Sequence, residues 1–195
     1  MLELLLLGLV VAIVLVVLYF VLAYNSLITL RTRIDNSWSQ IDVQLKKRYD
    51  LIPNLVETVK GAANFEKSTL TAVVDARSRV GSFTVDKSIL NDPEQFKKFQ
   101  QAQGELGQSL SRLMAVMENY PQIKATENFR SLQDQLEGTE NRIAVARRDF
   151  NDAARLYNTA IRRMPASIVA GYGHFLPRPY FEAEATAQKA PQVKF

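Results

Sequence analysis

The residues of this chain that could do chemistry are few and scattered. Asp50, Asn54 and Glu57 fall along one face of a helix-patterned segment around Pro53. Paired carboxylates at that spacing can hold a cation or share acid and base work. No histidine or cysteine stands beside them, and such stripes are ordinarily solvated faces or caps for a broken turn. His174 is the only histidine. A lone imidazole makes no metal site, and no serine, base and acid are grouped around it; it is expected to pack or hydrogen-bond within an aromatic segment. The absence of cysteine excludes disulfides, thiolate zinc sites and cysteine nucleophiles. No glycine-rich phosphate loop occurs. The sequence therefore predicts no enzyme, no cofactor and no metal.

Polar residues at apolar positions are more informative. Arg48 and Glu66 each stand where a heptad seam calls for an apolar side chain. One reading is that the helix rotates after Pro53 and both face water. The other is that Arg48 pairs with a carboxylate on the third helix, such as Glu140, and sets the helix register. Buried polar groups on a seam can fix alignment at a cost in stability. Tyr49, Val56, Ala154 and Ile161 are apolar positions outside the strict seams and are expected to offer surface to a partner helix.

The elements that must position these residues begin with a membrane segment. From Leu4 to Ala23 no side chain is charged. A bilayer core about 30 Å thick needs about 20 apolar helical residues, which that run supplies. Tyr19, Phe20 and Tyr24 lie where an interfacial aromatic belt would place them. A cleaved signal peptide is the competing reading, with Val21 and Ala23 as its small-residue pair. Glu3, the lack of an upstream Lys or Arg, and the length of the apolar run argue for an uncleaved anchor. Arg31 and Arg33 follow closely, so the positive-inside rule predicts the N-terminus outside and the remainder in the cytoplasm.

After the span the pattern is helical. Ile34, Trp38, Ile41, Leu45, Ile52, Leu55, Val59, Ala62, Val73 and Val80 alternate steps of three and four, with two interruptions. Nothing between Tyr24 and Ile34 breaks a helix. Span and first long helix are therefore expected to be continuous, with a kink and possible hinge at Pro53. Gly81 to Asn91 reads as a loop. Asp92 is an N-cap, with Pro93 at the first position and Gln95 completing a capping box; the second helix carries Phe96, Phe99, Gln103, Leu106, Leu110, Leu113 and Met117. In the third, from about Ala125 to Met164, Phe129, Leu136, Ile143, Phe150, Tyr157 and Met164 recur every seven residues. Mostly small residues lie on the adjacent seam (Leu132, Thr139, Ala146, Ala153, Ala160), so close helix packing is expected.

Beyond Pro165, Ile168 to Phe181 is aromatic-rich and interrupted by Gly171, Gly173, Pro177 and Pro179. It is expected to dock on the bundle rather than touch lipid, because the third helix should carry it away from the membrane. The fold class that follows is all-α: an N-terminal transmembrane helix (1–23) continuous with an elongated antiparallel bundle of three long helices plus a short C-terminal segment (24–182), then a disordered tail (183–195). The net charge of +4 is spread over separated basic pairs, so no nucleic-acid partner is expected.

Several strings resemble the LemA family of bacterial membrane proteins, in order and spacing. They are Tyr24-Asn25, the run Trp38 to Leu45, the run Arg48 to Val56, Thr139-Glu140-Asn141-Arg142-Ile143, Tyr157-Asn158, and Tyr180-Phe181-Glu182. The likeness covers the chain from the span to Glu182 and leaves out the last dozen or so residues. It implies an N-terminal anchor in the bacterial inner membrane, a cytoplasmic helical bundle and no established enzymatic activity. Some relatives belong to magnetosome membranes and others are encoded near membrane proteases. The function expected is a non-enzymatic scaffold that meets the lipid bilayer and assembles through coiled-coil-like contacts, with itself as a homo-oligomer or with another membrane protein such as a protease. The alternative is a signalling relay or adaptor with its hinge at Pro53.

Overall fold

The computed structural model describes residues 1–61, 66–83 and 86–182. Helix α1 runs unbroken over Leu2–Lys60. It changes character along its length. Nearly every residue from Leu2 to Leu22 is exposed, apolar on all sides, whereas from Leu27 onward one stripe is buried: Leu27, Ile34, Trp38, Ile41, Leu45, Ile52, Leu55 and Val59. That spacing is a bundle seam. The first stretch is long and apolar enough to cross a membrane.

The remaining helices fold back and forth along the stripe. α2 (Lys67–Gly81) returns beside α1, bringing Gly81 against the Tyr49 ring. A 3-10 turn, Lys87–Asn91, buries Ile89 and Leu90. α3 (Pro93–Met117) runs outward again, the short α4 (Pro121–Lys124) turns the chain, and α5 (Glu127–Ala160) returns along α1. α6 (Ala166–Tyr172) packs on α1, and an extended strap to Glu182 follows. Among the described residues there is no strand, and the antiparallel all-α bundle expected from the pattern is present.

One expected element is divided. The seam through Val73 and Val80 belongs not to the first long helix but to α2. α1 stops at Lys60, with Gly61 as its C-cap, the ordinary end signal of a basic last turn followed by glycine. Val59 and Val73 are 14 residues apart, two whole heptads, so the apolar spacing resumes in phase after the reversal, with Glu66 as the interruption between them. Ala62 and the expected disordered tail 183–195 lie outside the described residues. At the far end Met164 is off the expected seam: α5 closes at Ala160, and Met164 is exposed.

Local starts follow their caps. The Asp92 carboxylate accepts from the Glu94 and Gln95 backbone N–H groups at 3.0 and 3.1 Å, and Thr126 accepts from the Phe129 N–H at 3.3 Å. The expected capping box is only half made, because the Asp92 N–H donates to the Ile89 carbonyl instead of to Gln95. The Gln95 backbone N–H holds the Asp92 carboxyl below its ordinary value, and hydrogen bonds from Ser88 do the same for Asp86. Carboxylates lowered in the folded state contribute stability above their unfolded pKa and lose it as pH falls through the folded one. Stability should therefore decline as pH drops below the ordinary value of 3.8, and Asp92→Asn, which keeps a cap but cannot ionise, should flatten that decline in acid unfolding followed by circular dichroism. An unchanged acid profile would contradict the assignment.

Candidate functional site: a buried arginine layer and an asparagine-clasped strap

The core is two apolar clusters rather than one. The cluster nearer the apolar run is centred on Trp38, whose ring lies 5.7 Å from Phe99, 6.0 Å from Phe150 and 6.2 Å from Phe181 between centroids. The distal cluster joins Ile52, Leu55 and Val59 to Val73, Leu106, Leu113, Phe129 and Leu136. Between them lies a polar layer. Arg48, at 2% exposure, stands between Leu45 and Ile52; Gln103 between Phe99 and Leu106; Thr139 and Glu140 between Leu136 and Ile143. Three helices thus contribute to one level.

The layer is hydrogen-bonded across all three. Arg48 Nη1 donates to both Glu140 carboxylate oxygens, at 2.9 and 3.2 Å, and Nη2 donates to Gln103 Oε1. The Thr139 hydroxyl donates to the Gln135 carbonyl at 2.7 Å. A fork-shaped guanidinium bonded through both Nη groups to two helices favours one axial alignment of them, whereas Leu against Leu can slide. Of the two readings of Arg48, the structure shows the buried pair with Glu140. Glu66 is otherwise: it is exposed ahead of α2, accepts from Ser68 Oγ at 2.5 Å, and that bond lowers its pKa. It sits at no seam, because the helix to which the seam was assigned has already ended.

Pro53 lies on the outer side of α1, which continues through it. A proline lacks the N–H that would bond the carbonyl four residues earlier. That carbonyl, on Tyr49, is taken by Arg77 Nε of α2 at 3.3 Å, and the same guanidinium lies 3.9 Å over the Tyr49 ring. The expected hinge is braced. The expected partner surface is consumed in the same way. Val56 and Ala154 are buried, Ile161 is 8% exposed, and Tyr49 packs against the distal cluster. The separate α2 covers the first side of the bundle, and α6 with the strap covers the last turns of α5. None of the four is a free surface within this fold.

The strap from Gly173 to Glu182 is held by residues that the seam pattern does not single out. Asn158 and Asn151, seven residues apart on α5, each clasp one strap residue through both backbone groups. Asn158 donates to the Arg178 carbonyl at 2.9 Å and accepts from its N–H at 2.8 Å; Asn151 does the same to Phe181, at 2.9 Å each way. The Tyr157 hydroxyl donates to the Leu176 carbonyl at 3.0 Å, and Gln100 donates to the Glu182 carbonyl at 2.9 Å. Arg178 is buried and reaches back to the Leu90 carbonyl and the Asn91 side chain. Burial lowers its pKa and raises that of Tyr157. A heptad repeat of asparagine beside Phe150 and Tyr157 was the available sequence signal for the clasp. His174 does not pack. It is exposed, with φ of 52°, and occupies the left-handed position that closes α6, where the Phe175 N–H bonds the Ala170 carbonyl at 3.0 Å.

Asp50, Asn54 and Glu57 are all exposed. Among the described residues no three His, Cys, Asp or Glu side chains are grouped to hold a metal. What the geometry does is fix three helices at the level of Arg48 and hold the strap on α5 at Asn151 and Asn158, nearer the apolar run.

A sequence model of the LemA family matches residues 37–195, and the chain belongs to that family. The match begins within α1 and runs to the last residue, so the final residues fall inside it and Tyr24-Asn25 outside, contrary to expectation at both ends. Similar curated proteins include the magnetosome protein MamQ 1 of Paramagnetospirillum magneticum, 29% identical over 82% of this chain. The magnetosome protein MamQ of Magnetospirillum gryphiswaldense is 28% identical over 81% of it. Protein LemA of Metamycoplasma hominis is 25% identical over 75% of it. The chain spans 63–64% of the length of these relatives.

Two outcomes test the geometry. Removing one partner of a buried ion pair costs about 3–5 kcal/mol when it strands the other charge. Glu140 is 40% exposed and Arg48 only 2%, so a stranded carboxylate can rehydrate while a stranded guanidinium cannot. Glu140→Leu should therefore destabilise more than Arg48→Met in denaturant unfolding in mild detergent; the reverse order would contradict the layer. Arg77→Met should cost about 1 kcal/mol in the native chain and less in a Pro53→Ala background, where residue 53 regains an N–H for the Tyr49 carbonyl. Equal costs in both backgrounds would show that Arg77 does not serve that carbonyl.

Proposed function

We propose that this LemA-family chain is a membrane-anchored, non-enzymatic scaffold that works through helix–helix contacts and self-associates side by side in the membrane. The observation that carries the reading is the unbroken helix α1, which passes from an all-round apolar surface into the seam of the bundle. Whatever the bundle grips is thereby tied rigidly to the anchor. The orientation that suits Arg31 and Arg33 places the N-terminus outside the inner membrane and the bundle in the cytoplasm.

Two features support a scaffold over an enzyme or a relay. Among the described residues, the interior hydrogen bonds of Arg48, Asn158 and Arg178 each tie one element of the bundle to another. The relay reading needs Pro53 to bend between two states, and Arg77 braces that point. For assembly, the groove between α1 and α5 leaves Val43 and Val145 61% and 50% exposed, an apolar pair available to a second copy or to another membrane protein such as a protease.

Cross-linking of the full chain in native membranes should give a ladder of its multiples. Single cysteines at Val43 or Val145 should cross-link more readily than one at Val74, on α2. A chain that stays monomeric both in mild detergent and in lipid would overturn the self-association.

A further inference from the structure

The end of the bundle nearest the apolar run carries a surface that the fold leaves uncovered. Met164, Ile168, Tyr172 and Leu176 are 73%, 62%, 79% and 63% exposed. Ile168 and Tyr172 are one turn apart on α6 and share a face, while Val169 and Ala170 are buried against the bundle. Apolar residues exposed singly need no explanation, but four of them over Met164 to Leu176, across the turn, α6 and the start of the strap, mark an interaction site.

The position of this run identifies its partner. The α5 helix does not carry the aromatic segment away from the span, as the sequence suggested; it returns along α1 and delivers α6 to the span's end. The Tyr172 ring meets Phe20 edge-on at 5.6 Å, and Phe175 meets Tyr24 at 5.4 Å. Phe20 lies within the apolar run Leu4 to Ala23, so a bilayer that encloses it reaches Tyr172. Gly173 permits the approach: a Cβ there would fall 2.5 Å from the Phe175 ring and 3.1 Å from that of Tyr24. Just outside the patch, Arg162 and Arg163 are exposed in the turn between α5 and α6. An apolar face rimmed by guanidinium groups is the pattern of an interfacial segment.

We propose that Met164 to Leu176 is a second membrane contact, whose apolar face enters the boundary between headgroups and acyl chains while Arg162 and Arg163 engage lipid phosphates. The proposal rests on the anchor reading above. Lipid is the occupant because the patch is continuous, through Phe20 and Tyr172, with the exposed apolar surface of the span.

The chain has no cysteine, so single fluorophores can be placed by Ile168→Cys, Leu15→Cys and Val74→Cys in the full chain, each reconstituted in nanodiscs of phosphatidylcholine and phosphatidylglycerol. Lipids brominated about 5–10 Å below the headgroup boundary should quench at least half the emission at residues 168 and 15 and leave residue 74 unchanged. Quenching at 15 without quenching at 168 would overturn this contact and leave the anchor standing. No quenching at either would remove the anchor and the contact together. Blue-shifted emission at 168 that bromine does not touch would mean that a second copy covers the patch, which also overturns the proposal.

Discussion

α1 has to satisfy two surroundings with one hydrogen-bonded backbone. Its first turns are apolar on every side; from Leu27 to Val59 it is apolar on one stripe only, and that stripe must be covered along its whole length. At about 1.5 Å per residue the stripe is close to 50 Å long. α5 is the element that accompanies most of it. The rest of the cover is assembled from pieces: α2 and α3 at the distal end, and α3, the 3-10 turn and the strap at the proximal end. The division into two apolar clusters follows from this patchwork.

A long seam of Leu, Ile and Phe has many registers of similar energy, because each heptad resembles the next. The structure breaks that degeneracy with hydrogen bonds of fixed geometry. Arg48 reaches two other helices at one level, and a slip of one heptad would replace Gln103 by Phe96 or Leu110 and Glu140 by Gln133 or Arg147. The asparagine clasps act likewise on the strap, whose extended backbone has no helix or ladder of its own to satisfy its polar groups. Arg48 and Asn158 are buried and Asn151 is partly buried, and each bonds to groups supplied by another element, so this polarity favours one alignment at the cost of some stability.

Much of this was legible in the residues. The seam spacing from Ile34 to Val59 and from Phe129 to Tyr157 gave both long helices, and Asp92-Pro93 marked the start of α3. Arg48 and Glu140 were legible as a pair because a charge on an apolar stripe requires a partner. The reversal after Lys60 was hidden by a spacing of whole heptads, and with it the burial of Val56 and the partial cover of Tyr49. The strap's grip was hidden for another reason. Asn151 and Asn158 bond to backbone groups, which carry no residue-type signal at the receiving end. Glu66 misled because its seam belonged to a helix that had stopped before reaching it.

The apolar run and the first bundle helix form one rod. Spin labels at Leu22→Cys and Lys47→Cys, both at exposed positions of a cysteine-free chain, can be measured by pulsed electron–electron resonance in bilayers. A continuous helix over those residues predicts one narrow distribution centred at about 37 Å. A broad distribution, or one with a substantial shorter component, would show that the helix breaks between span and bundle and would contradict the account.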